Sequence, residues 1–205
     1  MALHSDSAVL DDLADDLDAG FAAFVRAHST AVYSTALRLS GSRAEADDLA
    51  QETFIRAFTA LRRFDAERVL LLESRPWLLT ITLNLWRNSL RRASRRPRET
   101  TRSFDVADRR RGPEGAAEDS ADSQRLVALL RELPEHHRVP VVLRHVVGLS
   151  YAEISSVLEC PVGTAKANVA RGLDRLRALA APTPASGDAP TQRKKSKSES
   201  KKESP

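Results

Sequence analysis

The stretch LSYAEISSVLECPVGTAKANVARGLDRLR, residues 149–177, constrains the fold more than any other part of the chain. It reads as two short helices joined by a tight turn. Ser150 and Glu153 form a capping box, in which each side chain satisfies an orphan backbone donor at a helix start. Tyr151, Ile154, Val157 and Leu158 give the first helix one apolar side, and Glu159, Cys160 and Pro161 make the turn. In the second helix Ala165, Val169, Leu173, Leu176 and Ala180 recur at the helical period and predict its inward side. Thr164, Ala167, Asn168, Arg171 and Arg175 then share the outward face, with Lys166 beside them. Such a helix can lie in the major groove of duplex DNA, its N-terminal residues reaching base edges while cations hold phosphates. Small residues such as Ala167 and Ala170 would let the backbone come close or touch a thymine methyl. The blander reading is a small helical bundle with a polar face.

Upstream lies a second helical unit. Over 21–39, Phe21, Phe24, Val25, His28, Val32, Thr35, Ala36 and Leu39 form one stripe, and Gly41 is placed to end it. Ser42 and Glu45 predict a further capping box. Behind it Ala46, Leu49, Ala50, Thr53, Phe54, Ala57, Phe58 and Leu61 keep the period. The opposite face shows Asp47, Asp48, Gln51, Glu52 and Arg56, which on spacing alone is an ordinary solvated helix side. A third helix is expected from Pro76, a favoured first position. Three helices around one core is the simple reading of 18–96.

The third helix carries Asn84, Arg87, Asn88, Arg91 and Arg95 on one face. Asn can pair with base edges and Arg with phosphate or guanine, so this is a second DNA-facing surface. Charge points the same way: residues 84–98 hold six Arg and no acid, whereas residues 1–20 hold six Asp and no Lys or Arg. Two such surfaces on one chain suggest two DNA elements at a set separation.

Between the units, 97–121 loses periodicity and gains Pro, Gly and mixed charge, which predicts a flexible linker. The second unit is expected over 122–180. Within it Pro140 predicts a kink unless its helix begins nearby. The tail, 181–205, is rich in Pro, Ser and Lys and is expected to be disordered and basic. The fold class is therefore all-α, with two small helical domains.

No run of about 20 apolar residues is present to span a membrane. The acidic N-terminus lacks the basic flank of a signal peptide, and the single cysteine excludes an internal disulfide framework. A soluble, cytoplasmic protein is expected. No Gly-rich phosphate loop, metal-spaced Cys/His cluster or nucleophile–base pair points to an enzyme, a cofactor or a metal. His136, His137 and His145 read as unliganded helical histidines, and Cys160 as a small packed residue.

Three stretches together go further. EADDLAQETFIRAF (45–58) resembles the polymerase-binding helix of region two in bacterial sigma factors. RPWLLTITLNLWRNSLRR (75–92) resembles the stretch that reads the −10 promoter element, and 130–177 resembles region four, which reads the −35 element. Their order, without a recognisable region one or three, is similar to the extracytoplasmic-function (group four) sigma factors. The resemblance covers about 18–96 and 122–180.

The resemblance implies a promoter-specific initiation factor that binds core RNA polymerase and does no bond chemistry itself. Asp48, Gln51, Glu52 and Phe54 match the motif that binds the β′ clamp helices, with Asp47 and Arg56 on the same helix. Region four would dock near the β-flap and place 164–175 in the −35 groove. Asn84, Arg87, Asn88, Arg91 and Arg95, with the loop 64–75, would meet the −10 element, where the family flips a base into a pocket. An anti-sigma factor that covers these faces is the expected inhibitor, and a nucleoid-associated location follows. The chain departs from the family pattern at Asn88, where Asp is frequent, in the leucine-rich 65–74, and at Ala165, Ala167 and Asn168. A stand-alone helix-turn-helix regulator, with 18–96 as its ligand or dimerisation domain, is the rival reading.

Overall fold

The computed structural model describes residues 6–95 and 121–181, which form nine helices and no strand. Apart from residues 121 and 181, the expected linker and tail lie outside the described residues. No helix among the described residues is long and apolar enough to cross a membrane.

The first helix, α1 (Asp6–Asp15), was not foreseen in the acidic N-terminal segment. Its acids Asp11, Asp12 and Asp15 are exposed, while Val9, Leu10 and Leu13 are buried against Phe24, Leu61, Val69 and Leu78. Each aliphatic side chain buried this way contributes about 1.5–3 kcal/mol. Asp16 then caps α2 (Leu17–Ser40), accepting from the amides of Asp18 at 2.9 Å and Ala19 at 3.1 Å. Gly20 lets α1 fold back closely, since a Cβ there would lie 2.7 Å from the Asp12 carbonyl oxygen.

Gly41 ends α2 in the left-handed region, φ 73°, with its amide on the Leu37 carbonyl. Ser42 starts α3 (Arg43–Leu61), its hydroxyl accepting from the Glu45 amide at 3.4 Å. The predicted box is completed elsewhere: the Glu45 carboxylate accepts from Ser89 Oγ at 2.8 Å, tying α3 to a later helix. Where a loop was expected over 64–75 a short helix, α4 (Ala66–Leu70), is capped by Asp65. Next, α5 (Ser74–Arg95) begins two residues before Pro76, which sits in the first turn where no amide donor is needed.

The second unit comprises α6 (Ala121–Arg131), α7 (Glu135–His145), α8 (Tyr151–Leu158) and α9 (Val162–Ala180). Pro140 falls inside α7, is buried, and withholds the amide that would bond the His136 carbonyl; the helix nevertheless continues to His145. The box at α8 is complete, with Ser150 Oγ accepting from the Glu153 amide and Glu153 accepting from the Ser150 amide. Glu159, at φ 50°, turns the chain from α8 into α9.

One core for 18–96 proves to be two. The first, around Phe24, Ala57, Leu61 and Leu78, holds α1–α5 together. The second takes Ala36, Leu39, Leu49, Leu79, Leu83 and Trp86 from the first unit and Leu133, Val142, Leu143, Ile154 and Val157 from the second. The two units thus share an apolar interior. Arg138 reinforces the join: its guanidinium donates to the carbonyls of Leu39 at 3.2 Å, Arg131 at 3.0 Å and Leu133 at 3.0 Å. Burial pushes the Arg138 pKa below the usual arginine value.

Candidate functional site

Three helix faces carry the candidate residues. On α3, Asp47, Asp48 and Gln51 are exposed and Glu52 is half-buried, its carboxylate accepting from Arg56 Nε at 2.7 Å. Phe54 is not on this face: it packs, half-buried, against the first core. The position at its neighbour is taken by Ile55, 53% exposed, one helical turn beyond Gln51 and Glu52. Sequence reasoning passed over Ile55, although its spacing of seven from Asp48 signals the shared face. Ile55 therefore shares the exposed side of α3 with Asp48, Gln51 and Glu52.

On α5, Asn84, Asn88 and Arg91 are exposed. Asn88 Oδ1 accepts from Arg91 at 3.0 Å, which orients the amide group. Arg87 is half-buried and paired through Nε with Glu135 of α7 at 2.8 Å. The Arg95 side chain lies outside the described residues. Ahead of this face Leu70 and Leu71 are exposed, and the Arg68 guanidinium stacks 3.8 Å over the Phe64 ring. A cleft of about 210 Å³ opens among Leu72, Glu73, Pro76, Trp77 and Thr80, closed on one side by Ser156 and Val157 of α8.

On α9, Thr164, Lys166, Arg171 and Arg175 are exposed, and Ala167 and Asn168 are half-buried. The inward set is led by Ala165 and Val169, which are buried; Leu173 and Leu176 are half-buried, and Ala180 is exposed. Gly172 is buried where α9 meets α7. The turn before α8 is braced by Arg144, which donates to the Leu149 carbonyl at 2.8 Å and lies 4.9 Å from the Tyr151 ring centre. The positive field of this unit is felt at His137, whose pKa is lowered by burial and further by His136, Arg171 and Arg175.

The structure brings Arg87 and Asn168, members of two different faces, to one cleft, with Glu135, His136, Leu158 and Cys160. Cys160 is free and half-buried. Among the described residues no group of three or more His, Cys, Asp or Glu could hold a metal ion.

The chain thus pairs a bundle carrying an acidic α3 face and an Asn/Arg α5 face with a capped helix-turn-helix. Residues 24–96 match the family model for Sigma-70 region 2, and residues 123–176 that for Sigma-70, region 4. The chain is 37% identical to the ECF RNA polymerase sigma factor SigE of Mycolicibacterium smegmatis over 155 residues, 75% of this chain and 58% of that protein's length. It is 36% identical to the ECF RNA polymerase sigma factor SigC of Mycobacterium tuberculosis over 167 residues, 80% of this chain and 85% of that one. The fold is similar to that of CnrH, solved in complex with the cytosolic domain of CnrY, with a TM-score of 0.64 and 26% identity over 85% of this chain and 96% of that one. The chain belongs to the extracytoplasmic-function sigma factors of RNA polymerase.

Proposed function

We propose that the chain binds core RNA polymerase and directs transcription from promoters carrying particular −10 and −35 elements, acting in the cytoplasm at the nucleoid. The observation that carries this reading is the presence, in family order on one chain, of the α3 face, the Asn/Arg face of α5 and the outward face of α9. Residues 18–96 would form region two and 122–180 region four, with 97–121 as linker and 181–205 as a basic extension. The β′ clamp helices would meet Asp48, Gln51, Glu52 and the exposed Ile55; Asp47 and Arg56 flank them. Phe54 would support this face from the core side.

Asn84, Asn88, Arg91 and Arg95, with Arg87 once freed, would read the −10 element, and Thr164, Lys166, Ala167, Asn168, Arg171 and Arg175 the −35 groove. Short polar groups at the start of α9 suit base edges, while the later arginines suit phosphates. The β-flap would receive region four. An anti-sigma factor would bind these faces to silence the chain. The polymerase performs the chemistry, and the chain needs no cofactor.

The test is transcription by core polymerase on sheared genomic DNA with and without the purified chain, followed by mapping of 5′ ends. New starts that share two upstream elements at one spacing are expected. A chain that binds DNA as a dimer on paired half-sites and yields no new starts would be a stand-alone regulator.

A further inference from the structure

We propose that α1 positions α4 for the −10 element, with Val9, Leu10 and Leu13 as the positioning residues. The inference deepens the reading of 64–75 as a promoter face and rests on it. Helix α4 spans five residues, too few to hold a helix in water without outside support. Asp65 caps its start, accepting from the Arg68 amide at 2.8 Å, and Val69 is its one buried side chain. Val69 enters the cluster formed by Val9, Leu10, Leu13, Leu61 and Leu78, and the helix that α4 packs against most is α1. Burying Val69 there leaves Leu70 and Leu71 outward, 48% and 77% exposed, while Arg68 lies over the Phe64 ring.

Two features make α1 a prop and not a further DNA contact. Its outward Asp11, Asp12 and Asp15 are exposed and would repel phosphate. Its inward side meets α2 closely: a Cβ on Gly20 would lie 2.7 Å from the Asp12 carbonyl oxygen, so α1 has no slack there. Backbone at that distance cannot yield as a side-chain tip can, so a displacement of α1 passes to α4. Helix α1 also lies ahead of residues 24–96, the span that matches Sigma-70 region 2. The −10 face is therefore set in part by residues outside the matched span that never touch DNA. Exposed leucines can wedge between bases only if their backbone is held, since an unheld segment spends the contact energy on ordering itself.

The experiment uses the full chain in two variants that perturb α1. Gly20→Ala pushes α1 away with every core side chain kept, and Leu13→Ala thins its buried side. Leu143→Ala, the truncation of an equally buried leucine in α7, controls for lost stability. Amide hydrogen exchange over 65–73 reads α4, where Val69 and Leu71 donate to the carbonyls of Asp65 and Glu67. Exchange there is expected to quicken at least about tenfold in both α1 variants and to keep the parent's rate in Leu143→Ala. Function is read with core polymerase at a promoter mapped with the parent. Both α1 variants are expected to bind core as the parent does, which also shows that they are folded, and to initiate at least about fivefold more slowly. Leu13→Met, which keeps the volume, is expected to initiate at the parent's rate. Unchanged α4 exchange in either α1 variant, or an equal rise in Leu143→Ala, overturns the prop. Faster exchange with unchanged initiation, or with core binding lost in step, overturns the positioning role. A parent that starts no transcripts overturns the promoter reading beneath it, whatever the exchange shows.

Discussion

The hydroxyls of Thr53 and Thr82 meet 3.2 Å apart in the buried interior between α3 and α5, joining the helix of the acidic face to the helix of the Asn/Arg face. Each also reaches back along its own helix, Thr53 to the Leu49 carbonyl at 2.7 Å and Thr82 to the Leu78 carbonyl at 2.9 Å. Both residues are fully buried, and their two protons serve two of these three contacts at a time, so a hydroxyl that donates to the other gives up its own carbonyl. Thr53→Val and Thr82→Val are each expected to cost about 1–2 kcal/mol, and the double variant less than their sum by about 0.5 kcal/mol or more. Urea unfolding of the four proteins closes the cycle; strictly additive costs would contradict a shared pair.

Gly172 sets how closely α9 lies on α7. A Cβ there would fall 2.5 Å from Val141 Cγ2 and 3.1 Å from the His137 carbonyl oxygen. Valine is stiff at χ1 and the carbonyl belongs to a helix, so neither yields easily. Overpacking of about 1–3 kcal/mol should outweigh the roughly 1 kcal/mol that Ala gains in helix propensity. Gly172→Ala is therefore expected to lower the Tm, and adding Val141→Ala to recover part of the loss. A raised Tm in Gly172→Ala would show that the helices part without cost.

The capping box at α8 predicts both a magnitude and a pH window. Removing the Ser150 hydroxyl with Ser150→Ala should cost about 1 kcal/mol. The hydrogen bond from Ser150 holds the Glu153 carboxyl below its usual range, against the opposing effect of burial. A carboxyl depressed in the fold binds fewer protons there than in the unfolded chain. Its contribution is present above the unfolded value, 4.5, and is lost as pH falls through the lower folded value. Glu153→Gln is expected to flatten this part of the stability profile, measured as urea midpoints from pH 5.5 to 3.

His28 acts at higher pH. It is buried at the Phe24 ring, 4.7 Å between centroids, with Nε2 3.2 Å from Asp6 Oδ1 but not aligned for a hydrogen bond. Burial lowers its pKa most, Arg75 adds to this, and Asp6 opposes it. The unfolded chain therefore protonates first, and the stability of the neutral buried ring declines as pH falls below 6.5. His28→Leu is expected to stay within about 1.5 kcal/mol of the parent at pH 7.5 and to lose stability less steeply toward pH 5.5. Identical slopes for the two proteins would exclude His28 as the source.

The long elements were legible because periodicity and caps agreed: the stripe of Phe24, His28, Thr35 and Leu39 is buried, as are Ala46, Leu49, Thr53 and Ala57. Ser150 and Glu153 form their box because both partners are local, whereas Glu45 finds Ser89, 44 residues away, which no local motif encodes. Two short helices escaped for a related reason. In α1 three aliphatics among many Asp make a stripe only once Phe24 and Val69 are there to cover it, and α4 spans only five residues. The faces of α3, α5 and α9 were readable as helix faces. The pairing of Arg87 with Glu135 and the exposure of Ile55 were not, because both depend on how the helices pack.

The central claim is that the α3 face docks on RNA polymerase, and gel filtration with purified core polymerase tests it most directly. The parent chain should co-elute with core at moderate salt. Asp48→Arg with Gln51→Ala should reverse and trim the exposed face without touching the core, leaving the Tm unchanged, and should elute free. Ile55→Ala alone should weaken binding by about 1–2 kcal/mol, roughly five- to thirtyfold in Kd, as expected for an anchor at the centre of a small site. Co-elution of the parent with loss in the folded double variant is the predicted result. A folded, inhibitor-free parent that never joins core, or a double variant that binds as well as the parent, would contradict the account.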